Sequence, residues 1–299
     1  MVSNDRHMRI LIAGSSGLIG RPLMAALRES GHEVRRLVRA SSPAAGEYRW
    51  DPPAGRVEDG AFDGVDAVIN LCGSPMGMRW SAARKQMIVD SRIEPTDVLA
   101  EEVAEHGVPS LLNASGISFY GDTGETVVDE TSAAGQGFLA GLCQRWEAAT
   151  GPAVRAGARV VHLRTGLVLA RGGLLGPLAP LFRLGLGARL GDGRQFMPWI
   201  SLADEVAAIR FLVEHETLTG PVNLCAPEPA TNAEFTRTLA RVLHRPAPWW
   251  VPASALRLVL GEAADELALM SVRAVPAVLT KAGFSFTDTR LERALAVVG

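Results

Sequence analysis

Gly14, Gly17 and Gly20 stand three residues apart in AGSSGLIG, directly after the apolar run MRILIA. That spacing suits the pyrophosphate of a dinucleotide. The first glycine permits a tight turn out of a strand, the second lets backbone approach the phosphates, and the third allows close helix–strand packing. Backbone N–H groups of the loop and helix start, from Ser15 and Ser16 through Leu18 and Ile19, meet the anion with the positive end of the helix dipole. A second chemical position is Arg39, which closes LVR at 37–39. An NAD site usually has an acid there to accept from the ribose 2′-hydroxyl, whereas a cation suits a 2′-phosphate. Arg39, followed by Ser41 and Ser42, therefore predicts NADP as the cofactor. Of the nearby Arg35 and Arg36, at most one shares the direction of Arg39.

These residues need a scaffold. Apolar β-branched runs at 8–14, 32–39, 65–73, 109–115 and 158–166 predict strands, several closed by glycine. Helical spacing covers 17–30, with Gly31 as its stop, and 81–107, with Pro95 as a kink or break. This alternation predicts an α/β fold with a Rossmann-type, doubly wound parallel sheet, covered on both faces. After residue 170 the pattern loosens. FMPWI at 196–200 predicts a short strand, 202–215 a helix, and the final 50 residues are mainly helical in pattern. The expected division is a dinucleotide-binding domain over 8–170, with part of 202–226 returning to it. A smaller, mainly helical substrate region covers 171–299.

Composition narrows the function classes. The 299 residues are 47% hydrophobic and carry a formal net charge of -2, which gives no footprint for nucleic acid. The three cysteines and six histidines lack metal-ligand spacing, so no metal site is expected. The cysteines are expected as reduced thiols in a cytoplasmic protein. The N-terminus lacks a long apolar signal core. The stretch at 174–190 holds two prolines and two arginines and is a poor membrane span.

The chain resembles the extended short-chain dehydrogenase/reductases. Within them it is similar to an atypical sugar-nucleotide-epimerase-like, or SulA-like, subgroup that ends in a small domain of unknown function. The resemblance rests on AGSSGLIG, DAVINLCG (66–73), RWSAARKQMIVDSRIEPT (79–96), FYGD (119–122), FLAGLCQRWEAA (138–149), LRTGLVLARGG (163–173), GDGRQFMPWI (191–200) and the tail from Ala255. It implies an NADP-binding Rossmann domain. The implied cofactor contacts are the loop Gly14–Gly20, Arg39, the turn Leu71-Cys72-Gly73, Arg92 and Leu167. The plainer role for Arg92 is a salt-bridged helix residue.

The same resemblance exposes a gap. Active members of the wider superfamily carry Tyr and Lys four apart on one helix, where an activated phenol moves the proton. Here the matching positions are Phe138 and Leu142, which with Trp146 form an apolar stripe. The slot for an orienting Ser or Thr is Gly116. The remaining candidates are Tyr120 as a replacement donor, Ser115 as a substrate-orienting hydroxyl, and Cys143. His162, inside an apolar strand, fits a core histidine. Met197 stands where sugar-nucleotide enzymes often place a diphosphate-binding arginine, and Arg194 lies elsewhere in that loop. Phe196, Met197, Trp199, Met76, Met78 and Trp80 would suit either an apolar substrate pocket or an interdomain core.

Two functions fit. One is an atypical NADP-dependent oxidoreductase or epimerase-like enzyme acting on a small molecule. The other is a catalytically degenerate NADP sensor or scaffold. Proton-transfer equipment separates them.

Overall fold

A computed structural model of the chain describes residues 7–40, 42–76 and 79–299; Ser41 and Met78 lie outside the described residues. The main sheet contains β1 (Arg9–Ala13), β2 (Glu33–Val38), β3 (Glu47–Asp51), β4 (Arg56–Val57), β5 (Ala67–Asn70), β6 (Ser110–Gly116), β7 (Arg159–Thr165) and β8 (Gly220–Leu224). Their order is β8-β7-β6-β5-β1-β2-β3-β4. Every pair is parallel except β3 with β4. Chain direction across the sheet reverses between β1 and β5, which opens a crevice at their carboxyl ends.

Alternate residues of β1 feed opposite cores, as the pleat requires. Ile10 and Ile12 pack with Leu23 and Leu27 of α1 (Gly20–Glu29) and Ile209 and Leu212 of α6 (Leu202–Glu214). Leu11 and Ala13 pack on the other face with Leu99 and Val103 of α2 (Ala82–Glu105). Helix α1 starts three residues later than its apolar spacing suggests, because Ser15–Ile19 is spent on turns. Helix α2 continues through buried Pro95 without a break.

Helix α3 (Phe138–Ala148) and the short α4 (Gly151–Arg155) lead into β7. The C-terminal part adds α5 (Leu175–Arg183), α7 (Asn232–Val242), α8 (Ala253–Leu260), a π-helical turn over Ala264–Leu269, α9 (Ala277–Lys281) and α10 (Leu291–Leu295). Leu175, Phe182, Phe235, Leu239 and Leu295 form its core. The strand expected at 196–200 is two short pieces. Phe196–Met197 pairs with Ala230–Thr231, whereas Trp199–Ser201 pairs with Leu167–Leu169. Pro198 divides them, because it brings no N–H to a ladder. No helix among the described residues is long and apolar enough to cross a membrane.

Candidate functional site

A groove of about 670 Å³ opens over the crevice between β1 and β5. Gly14, Ser15, Ser16 and Gly17 form one wall, and Leu71, Cys72 and Gly73 another. Gly14 adopts φ +80°, and a Cβ there would lie 2.6 Å from the Leu71 carbonyl. A Cβ on Gly20 would meet the Gly14 carbonyl oxygen at 2.5 Å. Gly17 is the open one: a Cβ there would meet only the Gly14 oxygen, at 3.3 Å. Two glycines thus serve close packing, and the third leaves backbone bare toward the groove. Leu18 leans the other way, onto Gly172 and Gly173. Ile19 precedes α1 as its N-cap residue.

The groove runs past the end of β2, where Arg36 and Arg39 both line it. Arg36 Nε donates to Ser15 Oγ at 2.9 Å, and its guanidinium also pairs with Glu47. Arg35 turns away to Glu33 and the carbonyls of Gly60 and Asp63. Beyond Arg36, Trp50, Asp51, Pro52 and Pro53 extend the lining. Spacing in the sequence singles out neither Arg36 nor this segment. EYRWD at 47–51 has no continuous apolar run, so neither β3 nor its terminal residues stand out.

At the other wall, Cys72 N–H donates to Asn70 Oδ1 at 3.0 Å. Asn70 is fully buried and donates to Thr96 Oγ1 and Asn113 Oδ1, at 2.9 and 2.7 Å. Trp146 Nε1 also donates to Thr96 Oγ1, at 2.9 Å, so this network ties β5, β6, α2 and α3 together. Burial pushes the Cys72 thiol up to about 12, against the opposing pull of Arg39. The thiol is neutral at physiological pH.

Arg92 lies beneath Gly73, where a Cβ would come within 3.1 Å of its Cζ. Its guanidinium donates to the carbonyls of Ile88 and Ser74 and to Ser91 Oγ. None of these partners is a carboxylate, so the salt-bridged role is not the one adopted. Its buried Nε has no hydrogen-bond partner, and burial lowers its pKa to about 10. Leu167 stands farther along, past the end of β7, with its N–H bonded to Pro198 O at 2.7 Å.

The stripe on α3 is packing. Leu142 is buried with Ile88, Val89 and Leu139. Phe138 meets Trp80 edge-on at 5.2 Å between centroids, with the Lys85 ammonium 4.9 Å from its own. Ser115 donates to Glu147 Oε1 at 2.7 Å, and Arg164 holds both oxygens of that carboxylate, at 2.8 and 2.9 Å. The Tyr120 hydroxyl donates to Asn223 Oδ1 at 2.8 Å and accepts from Arg164 at 3.0 Å. Burial pushes Tyr120 up to about 12 and Cys143 to about 11. In this arrangement both hydroxyls are engaged by protein partners, Tyr120 by buried Asn223 and Arg164, and Ser115 by the half-buried Glu147. His162 sits 3.0 Å from Thr150 Oγ1, its pKa lowered by burial.

The aromatic and methionine residues do not share one pocket. Trp199 is 1% exposed and belongs to the C-terminal core, against which Met197 packs. Phe196 lies under Arg273, while Met76 and Trp80 pack beside Phe138. Arg194 is exposed and paired with Glu125 at 2.8 Å. Among the described residues, no group of three His, Cys, Asp or Glu could hold a metal.

Residues 10–138 match the NAD dependent epimerase/dehydratase family, and 251–298 match a domain of unknown function, DUF1731. An epimerase family protein of Mycobacterium leprae is 50% identical over 99% of this chain and 97% of its own length. The human epimerase family protein SDR39U1 is 32% identical over 96% of this chain and 98% of its own. The crystal structure of human SDR39U1 isoform 2, with NADPH, superposes with a TM-score of 0.88 at 30% identity, covering 97% of this chain and 99% of that one. A nucleoside-diphosphate sugar epimerase from Corynebacterium glutamicum gives 0.82 at 35% identity, over 98% of this chain and 58% of that one. With a glycine-lined crevice at the sheet's switch point and near-complete coverage by these relatives, the chain belongs to the NAD-dependent epimerase/dehydratase family of extended short-chain dehydrogenase/reductases, in the SDR39U1-like branch that ends in DUF1731.

Proposed function

We propose that the groove binds NADP(H), and that the protein is an atypical oxidoreductase or epimerase-like enzyme acting on a small molecule in the cytoplasm. The observation that carries this reading is the continuity of one groove from the bare backbone at Gly17 to the paired cations Arg36 and Arg39. The pyrophosphate would lie on the glycine loop, and the 2′-phosphate between the two guanidinium groups. Human SDR39U1 was crystallised with NADPH, which agrees with that assignment. Ser15, Ser16, Leu71, Cys72 and Gly73 would line the dinucleotide, with Arg92 beneath the turn and Leu167 farther along the strand ends. The bound cofactor supplies hydride. The chain supplies position, exclusion of water and a proton route that does not use a Tyr–Lys pair.

A second reading, a sensor or scaffold, is favoured by one observation: Phe138 and Leu142 bring no ionisable group to the helix that usually carries the donor. Titration with NADPH and NADH tests the cofactor assignment, since equal affinities would remove it. Incubation with NADPH deuterated at C4 and a panel of small carbonyl compounds then separates the readings. Stereospecific transfer of deuterium to any of them identifies an enzyme.

A further inference from the structure

On the NADP(H) reading, the cations at the β2 end would set which way a dinucleotide lies. With its phosphorylated ribose at Arg36 and Arg39, and its pyrophosphate on the glycine loop, the other nucleoside must run the opposite way. That direction passes over the ends of β5, β6 and β7. Adjacent strands are about 4.8 Å apart. The last residues of β6 and β7 are Gly116 and Thr165, which are direct partners in register. Gly116 offers no side chain. Thr165 is half-buried and carries a hydroxyl immediately before Gly166 and Leu167.

Behind Thr165 lies Glu205, on the first turn of α6 and wholly buried. Thr165 Oγ1 and Glu205 Oε1 are 2.9 Å apart. Glu205 Oε2 is buried without a hydrogen-bond partner. No cation faces this carboxyl among its described partners. The Cys225 thiol, which follows β8, is within electrostatic reach, and burial raises its own pKa, so it brings no positive charge. An ionised carboxylate so placed would bear an uncompensated desolvation penalty. As it stands the bond runs from the Thr165 hydroxyl to Oε1. A neutral acid is the form that suits the site, and with its proton on Oε1 the same contact would run the other way, Glu205 donating to Thr165 Oγ1. The threonine proton then has one other acceptor among the described residues, the Leu163 carbonyl at a long 3.4 Å, and is only weakly held.

We propose that Thr165 is the hydroxyl that orients and protonates the substrate oxygen, and that Glu205 is the buried acid that replenishes its proton. This rests on the NADP(H) reading above. In the reducing direction a bound NADPH would supply hydride, and as the substrate carbonyl carbon is reduced its C=O π pair would move onto oxygen. That oxygen takes the Thr165 proton, and Thr165 Oγ1 takes the Glu205 proton. Glu205 would be left as a carboxylate and, being wholly buried, would recover a proton through Thr165 when the product leaves. Thr165 would be a catalytic residue and Glu205 a positioning residue acting through it.

Binding alone tests the relay. An ionised Glu205 favours the cationic ring of NADP⁺ over neutral NADPH. In the wild type the ratio of NADP⁺ to NADPH affinity should rise by at least about threefold from about pH 6 to about pH 9. The Glu205→Gln variant should show no such rise. Infrared spectroscopy at neutral pH should show a protonated carboxylic-acid band that disappears in Glu205→Gln and shifts in Thr165→Val. If both dinucleotides bind and the ratio is equally flat in wild type and Glu205→Gln, or if no band is lost in Glu205→Gln, the relay is wrong and the cofactor reading stands. If neither dinucleotide binds folded protein, the cofactor reading falls and takes the relay with it.

Discussion

Glu266 caps Phe138 from more than a hundred residues away. Its Oε1 accepts the Phe138 N–H at 2.7 Å, and its Oε2 accepts the Leu139 N–H at 2.8 Å. The residue before the helix, Gly137, has φ +111°, and a Cβ there would strike Glu266 Oε1 at 2.6 Å. Helix α3 therefore takes its cap from the C-terminal domain and not from its own flank. Lys85 and Glu262 pair across the same seam. Replacing Glu266 with alanine should cost about 1–2 kcal/mol, the worth of a cap plus a charge near a helix start. Urea denaturation reads this loss, and a stability change near zero would show that water caps α3 equally well.

Leu142 is buried among Ile88, Val89 and Leu139, so Leu142→Ala should lower stability by about 2–5 kcal/mol. NADPH affinity in the folded fraction should be unchanged. The pair Phe138→Tyr with Leu142→Lys should fold poorly, because the new ammonium would lie among aliphatic side chains. A well-folded double variant with strong carbonyl reduction would mean that α3 already faces the reacting ring.

Gly14 and Gly17 should fail differently. Gly14→Ala places a Cβ 2.6 Å from Leu71 backbone at a positive φ, so the strand ends must shift and stability should drop. Gly17→Val leaves the sheet packing intact and fills the groove, so the circular dichroism should be normal and NADPH binding lost. Normal NADPH affinity in folded Gly17→Val would take the glycine loop out of the site.

Arg39→Ala should weaken NADPH binding by about tenfold or more and leave NADH nearly unaffected, as loss of a charge-assisted phosphate contact requires. Arg36→Ala should weaken it further, since that side chain also holds Ser15 in the loop. Parallel calorimetric titrations with the two dinucleotides check both variants.

Burial pushes the Glu205 carboxyl up to about 8, opposed only by its bond to Thr165. An unfolded glutamate titrates near about 4.3. Between those values the folded chain holds a proton that the unfolded chain has released. Stability should therefore fall as pH rises from about 4.3 toward about 8, by a few kcal/mol in total, and then level off. Glu205→Gln should remove this slope. Urea midpoints across the range measure it, and identical slopes in both proteins would assign it to another group.

Five of the parallel strands, β1, β2, β5, β6 and β7, were legible, most of them as short apolar runs ended by glycine or a turn, and the glycine loop because its three glycines fall within seven residues. β3 was hidden by its alternating charges. The split at Pro198 depends on which partner each half finds, and a five-residue window does not contain those partners. Arg36 was ambiguous beside Arg35 because the pleat sends the two to opposite faces and the fold decides which face meets the groove. The pairing of Thr165 with Glu205 joins residues forty apart through the fold, and neither belongs to a recognisable spacing. The missing Tyr–Lys pair was visible at once, since an absence at a fixed offset needs no coordinates.

The Asn70–Thr96–Asn113 cluster, reached also by Trp146, has a kinetic consequence. Each of its side chains satisfies another in a place sealed from water, so no member can leave without stranding its neighbours. The amides of β5, β6 and the middle of α2 should then exchange with solvent only on global unfolding, whereas the 171–174 loop over Leu18 opens independently. A ligand arriving at Leu71-Cys72-Gly73 would find that wall already set. Little ordering entropy would remain to oppose it, and association would be limited by passage into the groove and not by rearrangement of its floor.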